Sequence, residues 1–575
     1  ATSSASTVRV VERGEVARRA TSDLTQILGE IPGLQLEPVV GSGAGISMQG
    51  LGSDRVLILL DGAPFVGRLN GQLDLTRLSP SQIERIEIVE GPQSTLYGSS
   101  ALGGVVNLFT RRDPRSRAEL AVQAGSFGQR DGRGRVSGTL GGTALALDVG
   151  RRTIDVAPGT AARPLGFAHR WDGMARATRA FGASVADLRV LRIQENQEYR
   201  TGATATTRNR NDNWQTDALA TVTLGAGART ELRAHASLYD HRFEQIPAAA
   251  PSTTEWSIQN LLDVEGIRRG SLGAHAWVAG VRGEREWLES PRIVGGRRTS
   301  WAGAAFASAD WRLARTLGVA TGLRVSTSET WGSDLAPRAG VTWQPVGPLY
   351  AKAGLARGFR APSFNELYLD FLQARFFYSV QGNPDLRPEE SWNLTAEVGA
   401  ATDDASVYIR GYGNRLRDFI ETVRVRDSGQ IGIFSYRNVG KARTAGLEAG
   451  ATVTRGRLSA TGSYAWLDSE NEITGEELLG RAAHTAKGSL GWSAWRLALR
   501  AEALHVGRVP LSRSAQGVVS YQEPHTRVNA SGSVDLFHDA ALTLGVDNLT
   551  DEVPVGAATV LGRRWYGGLS WGIGW

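Results

Sequence analysis

Apolar and polar residues alternate with a period of two from about residue 115 to the end of the chain. The segments 317–326 (LGVATGLRVS) and 392–399 (WNLTAEVG) are examples, and turn residues such as Gly141-Gly142 separate such segments. Each segment is about ten residues long, as expected of a strand with lipid on one face and a polar interior on the other. One segment would also fit a soluble β-sandwich. Its repetition over more than 400 residues predicts a closed barrel.

No stretch offers the roughly 20 apolar residues that a membrane-spanning helix needs. The longest apolar run in the first hundred residues is Val56–Leu60 (VLILL). Because a backbone in lipid must satisfy its hydrogen bonds internally, insertion of this chain requires a closed β-barrel. The final segment, 565–575, keeps its apolar residues on one parity and ends on Trp575. It resembles the assembly signal of bacterial outer-membrane barrels, which usually ends in phenylalanine.

Residues 1 to about 112 have a different, mixed α/β character. The spacing of Leu24, Ile27 and Leu28 predicts a helix that begins after capping residues at 21–23 and ends before Pro32-Gly33. Short strands are predicted at 8–11, 55–60, 83–89 and 105–109. The chain therefore contains two folding units of different class.

Composition excludes several kinds of function. The chain has no cysteine, which excludes disulfides, thiolate metal sites and cysteine nucleophiles. The net charge is +6, and nearly all of the positive charge is arginine. The arginines are spread along the chain and form no basic arm, so we predict no nucleic-acid partner. The arginines are interpreted either as a compositional bias or as a surface that meets phosphate-bearing lipid of the outer leaflet.

Both units carry short motifs that together identify a family. Those of the first unit are LTQILGEIPGL (24–34), ISMQG (46–50), LLDGAP (59–64), IERIEIVEGP (83–92), STLYGS (94–99) and ALGGVVNL (101–108). Those of the second unit are GFRAPSFNELY (358–368), GNPDLRPE (382–389), NVGKARTAGLE (438–448) and VDNLTDE (546–552). In this order they resemble the plug and barrel of TonB-dependent receptors, over nearly the whole chain.

The resemblance implies a fold and a function. We expect an all-β transmembrane barrel of about 22 antiparallel strands, residues 115–575, with an N-terminal α/β plug domain, residues 1–114, inside its lumen. The expected function is active uptake of a scarce ligand, a ferric siderophore or a cobalamin-like chelate, across the bacterial outer membrane. The alternative is a passive porin with an internal plug-like domain.

Partners follow from the same resemblance. We expect a TonB-type periplasmic protein that couples energy to the plug, a metal-chelate ligand, outer-membrane lipids and a monomeric chain. Neither catalysis nor a cofactor is implied. The interval 363–382 contains no histidine that could ligate haem iron, and the early barrel has no aspartate cluster for calcium, so no metal site is predicted.

The resemblance places the ligand between the plug apices and the extracellular loops. The predicted ligand-binding residues are Ser42, Gly43, Ala44, Val66, Arg68 and Asn70 on the plug, and Tyr368, Arg375, Phe376, Phe377 and Tyr378 in the loop between the motifs 358–368 and 382–389. The aromatic residues of that loop have two interpretations. They line a site for a partly apolar, anionic ligand, or they form a small apolar core that holds the loop on the barrel rim.

Some features depart from the family pattern. Gln49 and Glu90 stand where the family generally carries arginine, which leaves the ion pairing of plug and wall open. The energy-coupling segment of the family should precede the first plug strand, but 7–11 already reads as that strand. We expect the segment to be absent from this sequence, or 7–11 to serve in its place. The start of the sequence has no apolar signal segment, which we interpret as a mature, processed chain.

Overall fold

The structure is a computed structural model in which a small mixed unit fills the lumen of a β-barrel. It describes residues 8–19, 24–38, 43–69, 72–112, 114–155, 168–201, 207–225, 228–248, 251–373, 377–513, 517–537, 539–554 and 562–575. Within these ranges, none of the helices has the length and apolar character to cross a membrane.

The inner unit, the plug, consists of short elements. Its strands are β1 (Val8–Glu12), β2 (Leu34–Pro38), β3 (Ala44–Met48), β4 (Val56–Leu60), β5 (Ala63–Pro64), β6 (Arg68–Leu69), β7 (Gln72–Leu73), β8 (Ile83–Glu90) and β9 (Gly104–Thr110). Its helices are α1 (Arg13–Arg18), α2 (Leu24–Glu30) and α3 (Ser94–Tyr97), with 3-10 turns at Ser53–Arg55, Leu75–Arg77 and Pro80–Gln82. The predicted helix and the four predicted strands are confirmed; the capping residues 21–23 lie outside the described residues.

Five plug strands form one sheet in the order β1-β8-β9-β4-β5. Strand β4 runs parallel to β9, and the other pairs are antiparallel. The apolar face of the helix at Leu24 packs on this sheet in one buried cluster with Val56, Ile58 and Ile86. The sheet and helix together make the plug a compact body with its own core.

Of the described residues, 22 long strands close the barrel, each antiparallel to its neighbours, with the last strand pairing with the first. They are β10 (Arg117–Gly125), β11 (Arg130–Leu140), β12 (Thr143–Ile154), β13 (Ala168–Phe181), β14 (Ser184–Thr201), β15 (Thr207–Leu224), β16 (Arg229–Ile246), β17 (Thr253–Leu272), β18 (His275–Glu289), β19 (Arg297–Arg312), β20 (Leu317–Ser328), β21 (Gly332–Trp343), β22 (Leu349–Arg360), β25 (Glu389–Ala401), β26 (Ala405–Ser428), β27 (Ile431–Arg455), β28 (Leu458–Asn471), β30 (His484–Ala494), β31 (Leu497–Val506), β34 (His525–Asp535), β35 (Ala541–Asp547) and β36 (Arg564–Gly574).

The remaining elements belong to loops at one end of the barrel. They are α4 (Phe364–Tyr368), β23 (Asp370–Gln373), β24 (Tyr378–Gln381), β29 (Glu476–Glu477), β32 (Val509–Arg513) and β33 (Val519–Gln522). Connections at the opposite end are short turns, such as Gly141-Gly142. Since outer-membrane barrels have short periplasmic turns and longer extracellular loops, the loop end is the extracellular end.

The period-two pattern of the sequence corresponds to the two faces of the wall. In β36, Trp565, Leu569 and Trp571 are about half exposed on the outer face, whereas Tyr566 is buried toward the lumen. Leu120 and Val122 of β10 are exposed on the same outer face. The predicted closed barrel with an apolar outer surface is therefore confirmed.

Candidate functional site

Glu389, the first residue of β25, joins the plug to the extracellular end of the barrel. Arg55 of the plug donates to its two carboxylate oxygens at 2.6 and 2.9 Å. Arg360, at the end of β22, donates to the same two oxygens at 2.9 Å each. The Glu389 side chain has no exposed surface. Because the buried Glu389 carboxylate is shared by one arginine of the plug and one of the wall, this cluster holds the upper part of the plug against the wall.

Glu90, one of the two departures from the family pattern, pairs with an arginine of the wall. Arg410 of β26 donates to Glu90 and, at 2.8 Å, to Glu397. Arg9 of β1 donates to Glu90 at 3.0 Å and also to Glu448 of β27. The ion pairing that the sequence left open is therefore present, with the negative charge on the plug and a compensating positive charge on the wall.

Gln49, the other departure, meets neutral groups of the wall. Asn393 of β25 donates from its side-chain amide to the Gln49 side-chain oxygen at 3.1 Å. The hydroxyl of Thr444 in β27 donates to the Gln49 carbonyl at 2.8 Å. An uncharged plug residue is thus matched by uncharged partners, so no buried charge is left over.

An open cavity of about 470 Å³ lies above the plug at the extracellular end. The plug forms its floor through Pro64, Phe65, Val66, Arg68 and the segment 97–100. Inward side chains of the wall form its sides, namely Tyr239, His241, Phe243, Gln259, Arg282, Glu284, Glu286 and Arg324. Trp331, Phe359 and Phe364 border it near the loop after β22. Its size and mixed aromatic and polar lining are those of a small-molecule site.

Arginines and carboxylates share the wall of this cavity. Arg282 donates to Asp263 at 2.6 Å and lies 2.9 Å from Glu284, so its charge is balanced within the wall. Arg324 instead donates to the Ser326 hydroxyl at 2.9 Å and to a plug carbonyl at 3.4 Å. Among the described residues, no carboxylate lies within ion-pair distance of Arg324. Arg324 therefore has positive charge to offer an anion in the cavity.

Arg68 is the cation of the cavity floor. Its backbone N–H donates to the side-chain oxygen of Gln259 in the wall at 3.3 Å. Its guanidinium donates to the carbonyls of Ser53 and Val56 at 3.4 Å each. Burial lowers the pKa of Arg68 below its ordinary value. The side chain is thus fixed by plug carbonyls under the cavity.

The plug residues predicted from the sequence divide into two groups. Val66 and Arg68 line the cavity. Gly43 and Ala44 do not: Gly43, with φ of +87°, lies against the carboxylate of Asp74, and Ala44 is buried at the start of β3. Four predicted residues lie outside the described residues: Ser42, Asn70, Arg375 and Phe376.

Tyr368 lies at the base of the loop after β22 and not on the cavity surface. Its ring packs 6.4 Å from that of Phe364, centre to centre, within an apolar cluster that includes Leu288 and Ile293. The guanidinium of Arg298 lies 4.7 Å from the Tyr368 ring centre. These contacts hold the loop to the barrel rim.

Phe377 and Tyr378 also lie away from the cavity surface. Tyr378 makes edge-to-face contacts with Phe371 and Phe434 at 5.9 and 6.5 Å. Phe377, with φ of +53°, is about half exposed. The contacts of the described loop aromatics are those of the apolar-core interpretation. Whether these residues also contact ligand stays a prediction.

The wall residues of the cavity were not predicted from the sequence. Tyr239, His241 and Phe243 share one parity at the extracellular end of β16, and Arg324 lies on the inward face of β20. The available signal was an aromatic or charged residue at an inward position near the extracellular end of a strand. To use that signal, one must know which way each strand runs and which of its faces is turned inward. A single segment of sequence gives neither.

Two family models match the chain, and together they span most of it. The model described as TonB dependent receptor-like, beta-barrel matches residues 110–549, and the model of the TonB-dependent Receptor Plug Domain matches residues 1–105. The barrel model alone covers more than half of the sequence, and the described residues place the plug inside that barrel.

Similar proteins are found over most of the chain. The iron-regulated outer membrane virulence protein of Vibrio cholerae serotype O1 is 27% identical over 534 residues, which cover 84% of this chain and 79% of that protein. The vitamin B12 transporter BtuB of Photobacterium profundum is 24% identical over 525 residues, 87% of this chain and 82% of that protein. The crystal structure of the ferric enterobactin receptor of Pseudomonas aeruginosa superposes with a TM-score of 0.84 at 20% identity, covering 98% of both chains.

Proposed function

We propose a ligand class for this chain, which belongs to the TonB-dependent receptor family. Its extracellular cavity captures a ferric siderophore for uptake. The family is one of outer-membrane receptors and transporters, so the chain is placed in the bacterial outer membrane and a passive porin is excluded.

The cavity supports an anionic, partly aromatic chelate. Phe243 and Trp331, both half-buried at the cavity surface, offer flat apolar surface on which an aromatic iron-binding group can stack. Arg324 supplies positive charge at the wall, and Arg68 lies at the floor. A chelate that carries negative charge would gain charge-assisted hydrogen bonds from such arginines. The iron-regulated relative from Vibrio cholerae supports an iron-bearing ligand, and the vitamin B12 transporter makes cobalamin the second candidate.

Release of the ligand requires the plug to move, and we propose that a TonB-type periplasmic protein supplies the work. The plug is held by the buried ion pairs of Glu389 and Glu90, which can break and re-form without altering its core. We also propose a domain boundary between residues 114 and 115 and a monomeric chain. The further ligand-binding residues predicted in the loop 368–378 stay part of this proposal.

Binding measurements on the purified protein test the ligand class. Tryptophan fluorescence is titrated with a ferric catecholate siderophore, a ferric hydroxamate siderophore, cyanocobalamin and haem. We expect one ferric siderophore to bind, and Arg324→Gln to weaken that binding by roughly 10- to 100-fold, as expected for a hydrogen bond to a charged group. Tight binding of cyanocobalamin without a ferric siderophore would replace the iron proposal by the cobalamin one.

A matched variant separates recognition from folding. Arg312→Gln removes an exposed arginine at the periplasmic end of the neighbouring strand β19. It should leave affinity unchanged. If Arg324→Gln keeps full affinity, or if it loses affinity together with thermal stability, Arg324 is not a recognition residue.

A further inference from the structure

The outer face of strands β26 and β27 changes from apolar to cationic at one level. Toward the periplasmic end this face carries Val407, Ile409, Leu447 and Val453, each about half exposed. Above the small pair Gly413 and Ala445, the next two outward pairs are Arg415 with Arg443 and Arg417 with Lys441. We refer to Arg415, Arg417, Lys441 and Arg443 as the basic patch.

The basic patch faces away from the lumen. On the same strands the alternate residues Arg410, Asn414, Thr444 and Glu448 are buried and contact the plug or the inner wall. Because side chains of a strand alternate between its faces, the four patch residues point to the outside, and all four are exposed. They belong to the surface that meets the membrane.

Like charges stand opposite each other in this patch. The Cβ atoms of directly opposite residues are about 5 Å apart, and the next pair on the same face lies about 7 Å further along the strands. Such opposition is unfavourable unless an anion lies between the cations. On their other sides, Arg417 faces Glu390 of β25 and Arg443 faces Glu470 of β28.

The chain itself supplies little compensation. Arg443 pairs with Glu470 at 2.7 Å and lies 3.4 Å from Asp468. For Arg415, Arg417 and Lys441, none of the residues that the structure describes provides a carboxylate within ion-pair distance. Three cations of the patch therefore keep their charge available on an outward face.

Tryptophans fix the height of the patch relative to the membrane. Trp392 of β25 is the direct strand neighbour of Arg415, and Trp466 of β28 is that of Leu447. Both are a little over two-fifths exposed on the outer face. Tryptophan marks the interface between hydrocarbon and headgroups in membrane proteins. The basic patch therefore lies at the headgroup level of the extracellular leaflet.

We propose that the basic patch binds the phosphate groups of an anionic lipid of the outer leaflet. The acyl chains of that lipid lie on the apolar face formed by Ile409 and Leu447, directly below. Arginine guanidinium groups donate paired hydrogen bonds to phosphate oxygens, and Lys441 adds a point charge. Bound phosphate removes the repulsion between the opposed cations, so lipid binding and the strand pairing of β26 with β27 support each other.

The test uses the full-length protein in detergent and native mass spectrometry. The probes are diphosphorylated lipid A and the same lipid with both phosphates removed. The triple variant Arg415→Gln, Arg417→Gln, Lys441→Gln leaves the pair of Arg443 and Glu470 intact. Wild type should retain the diphosphorylated lipid at least 10-fold better than the triple variant does, and at least 10-fold better than it retains the phosphate-free lipid.

Arg424→Gln is the matched control. Arg424 lies on the same strand beyond the patch, is exposed, and pairs with Asp427 at 2.6 Å. The Arg424→Gln variant should retain the diphosphorylated lipid as well as wild type does. Equal retention by wild type and triple variant overturns the proposal, as does equal binding of the phosphate-free lipid. Complete displacement of the lipid by millimolar inorganic phosphate would make the patch a site for the free anion. If the triple variant fails to fold, Arg417→Gln and Lys441→Gln alone must each show an intermediate loss, and unchanged retention in both overturns the proposal.

Discussion

Arg189 of strand β14 donates to Asp61 of the plug at 2.8 Å, and neither side chain has any exposed surface. Arg176 of β13 lies 3.4 Å from the same carboxylate. We expect Asp61→Asn to weaken the docking of the plug by about 1–3 kcal/mol, because it removes charge-assisted hydrogen bonds from buried arginines, which keep Asp187 and Asp217 as their other partners. The free energy of plug opening, from hydrogen exchange at plug amides, measures the effect.

The backbone does not confound this test. Asp61 has φ of +54°, a conformation that asparagine adopts as readily as aspartate does. Asp403→Asn, in an exposed turn at the periplasmic end, is the control and should change nothing. Equal hydrogen exchange in Asp61→Asn and wild type would show that this ion pair does not hold the plug.

Arg410 and Glu90 should show strong energetic coupling. Each single change to glutamine leaves an imbalance among the buried charges that also include Arg9 and Glu448. We expect the double variant to be less destabilised than the sum of the two singles, by about 1–3 kcal/mol. The exposed pair Arg424 and Asp427, treated in the same way, should give a coupling below about 1 kcal/mol. Similar couplings for both pairs would contradict the prediction.

Asp74 should make the stability of the plug depend on pH. Burial raises the pKa of Asp74 to about 7, with Glu195 acting in the same direction. Between its unfolded pKa near 4 and about 7 the folded chain keeps the proton and the unfolded chain has released it. Stability contributed by this group is therefore full below about pH 4 and is lost as the pH rises toward 7, by at most about 4 kcal/mol.

Hydrogen exchange of the plug at pH 5 and pH 7.5 measures this dependence. In Asp74→Asn the titrating group is absent while Thr76 can still donate to the side-chain oxygen. The variant should lose most of the difference in opening free energy between the two pH values. An unchanged difference would assign the pH dependence to other groups.

Gly104 begins strand β9 at a point where no side chain fits. Its φ is +149°, and an added Cβ would lie 2.5 Å from the Val89 carbonyl and 2.6 Å from the Met48 sulfur. We expect Gly104→Ala to destabilise the plug by about 2–4 kcal/mol through backbone strain and overpacking. Gly132→Ala in β11, where nothing lies within 4 Å, should be neutral. Protease resistance of the plug in the assembled barrel distinguishes the two variants.

The fold could be predicted from the sequence because its signals are local and repeated. The alternation in β36 and the helical spacing at Leu24 each depend on neighbouring residues only, and both correspond to the observed elements. Barrel closure follows from the requirement that a strand edge cannot face lipid. The motifs around Asp61 and Gly91 identified the first unit as the plug, and so gave the order of the two units.

The cavity could be predicted only in part because its lining comes from residues far apart in the sequence. Val66 and Arg68 were found because the resemblance placed them on a plug apex. Tyr239 and Arg324 meet only after the wall closes around the plug, so no spacing in the sequence relates them. The pairing of Glu90 with Arg410 was hidden for the same reason, since 320 positions separate the two residues.

Strand β1 has a single neighbour, β8, at the edge of the plug sheet. A strand in that position can detach from one end, so that its hydrogen-bonded pairs with β8 break one after another and not together. Under tension from the N-terminal side, the second pair to break is that of Arg9 with Ile88. The Arg9 side chain also pairs with Glu90 and Glu448. Among the described residues, the later pairs of β1 with β8 show no such side-chain ion pair with the wall. The force that detaches strand β1 would then be set mainly by Arg9, and changing that side chain alone would raise or lower it.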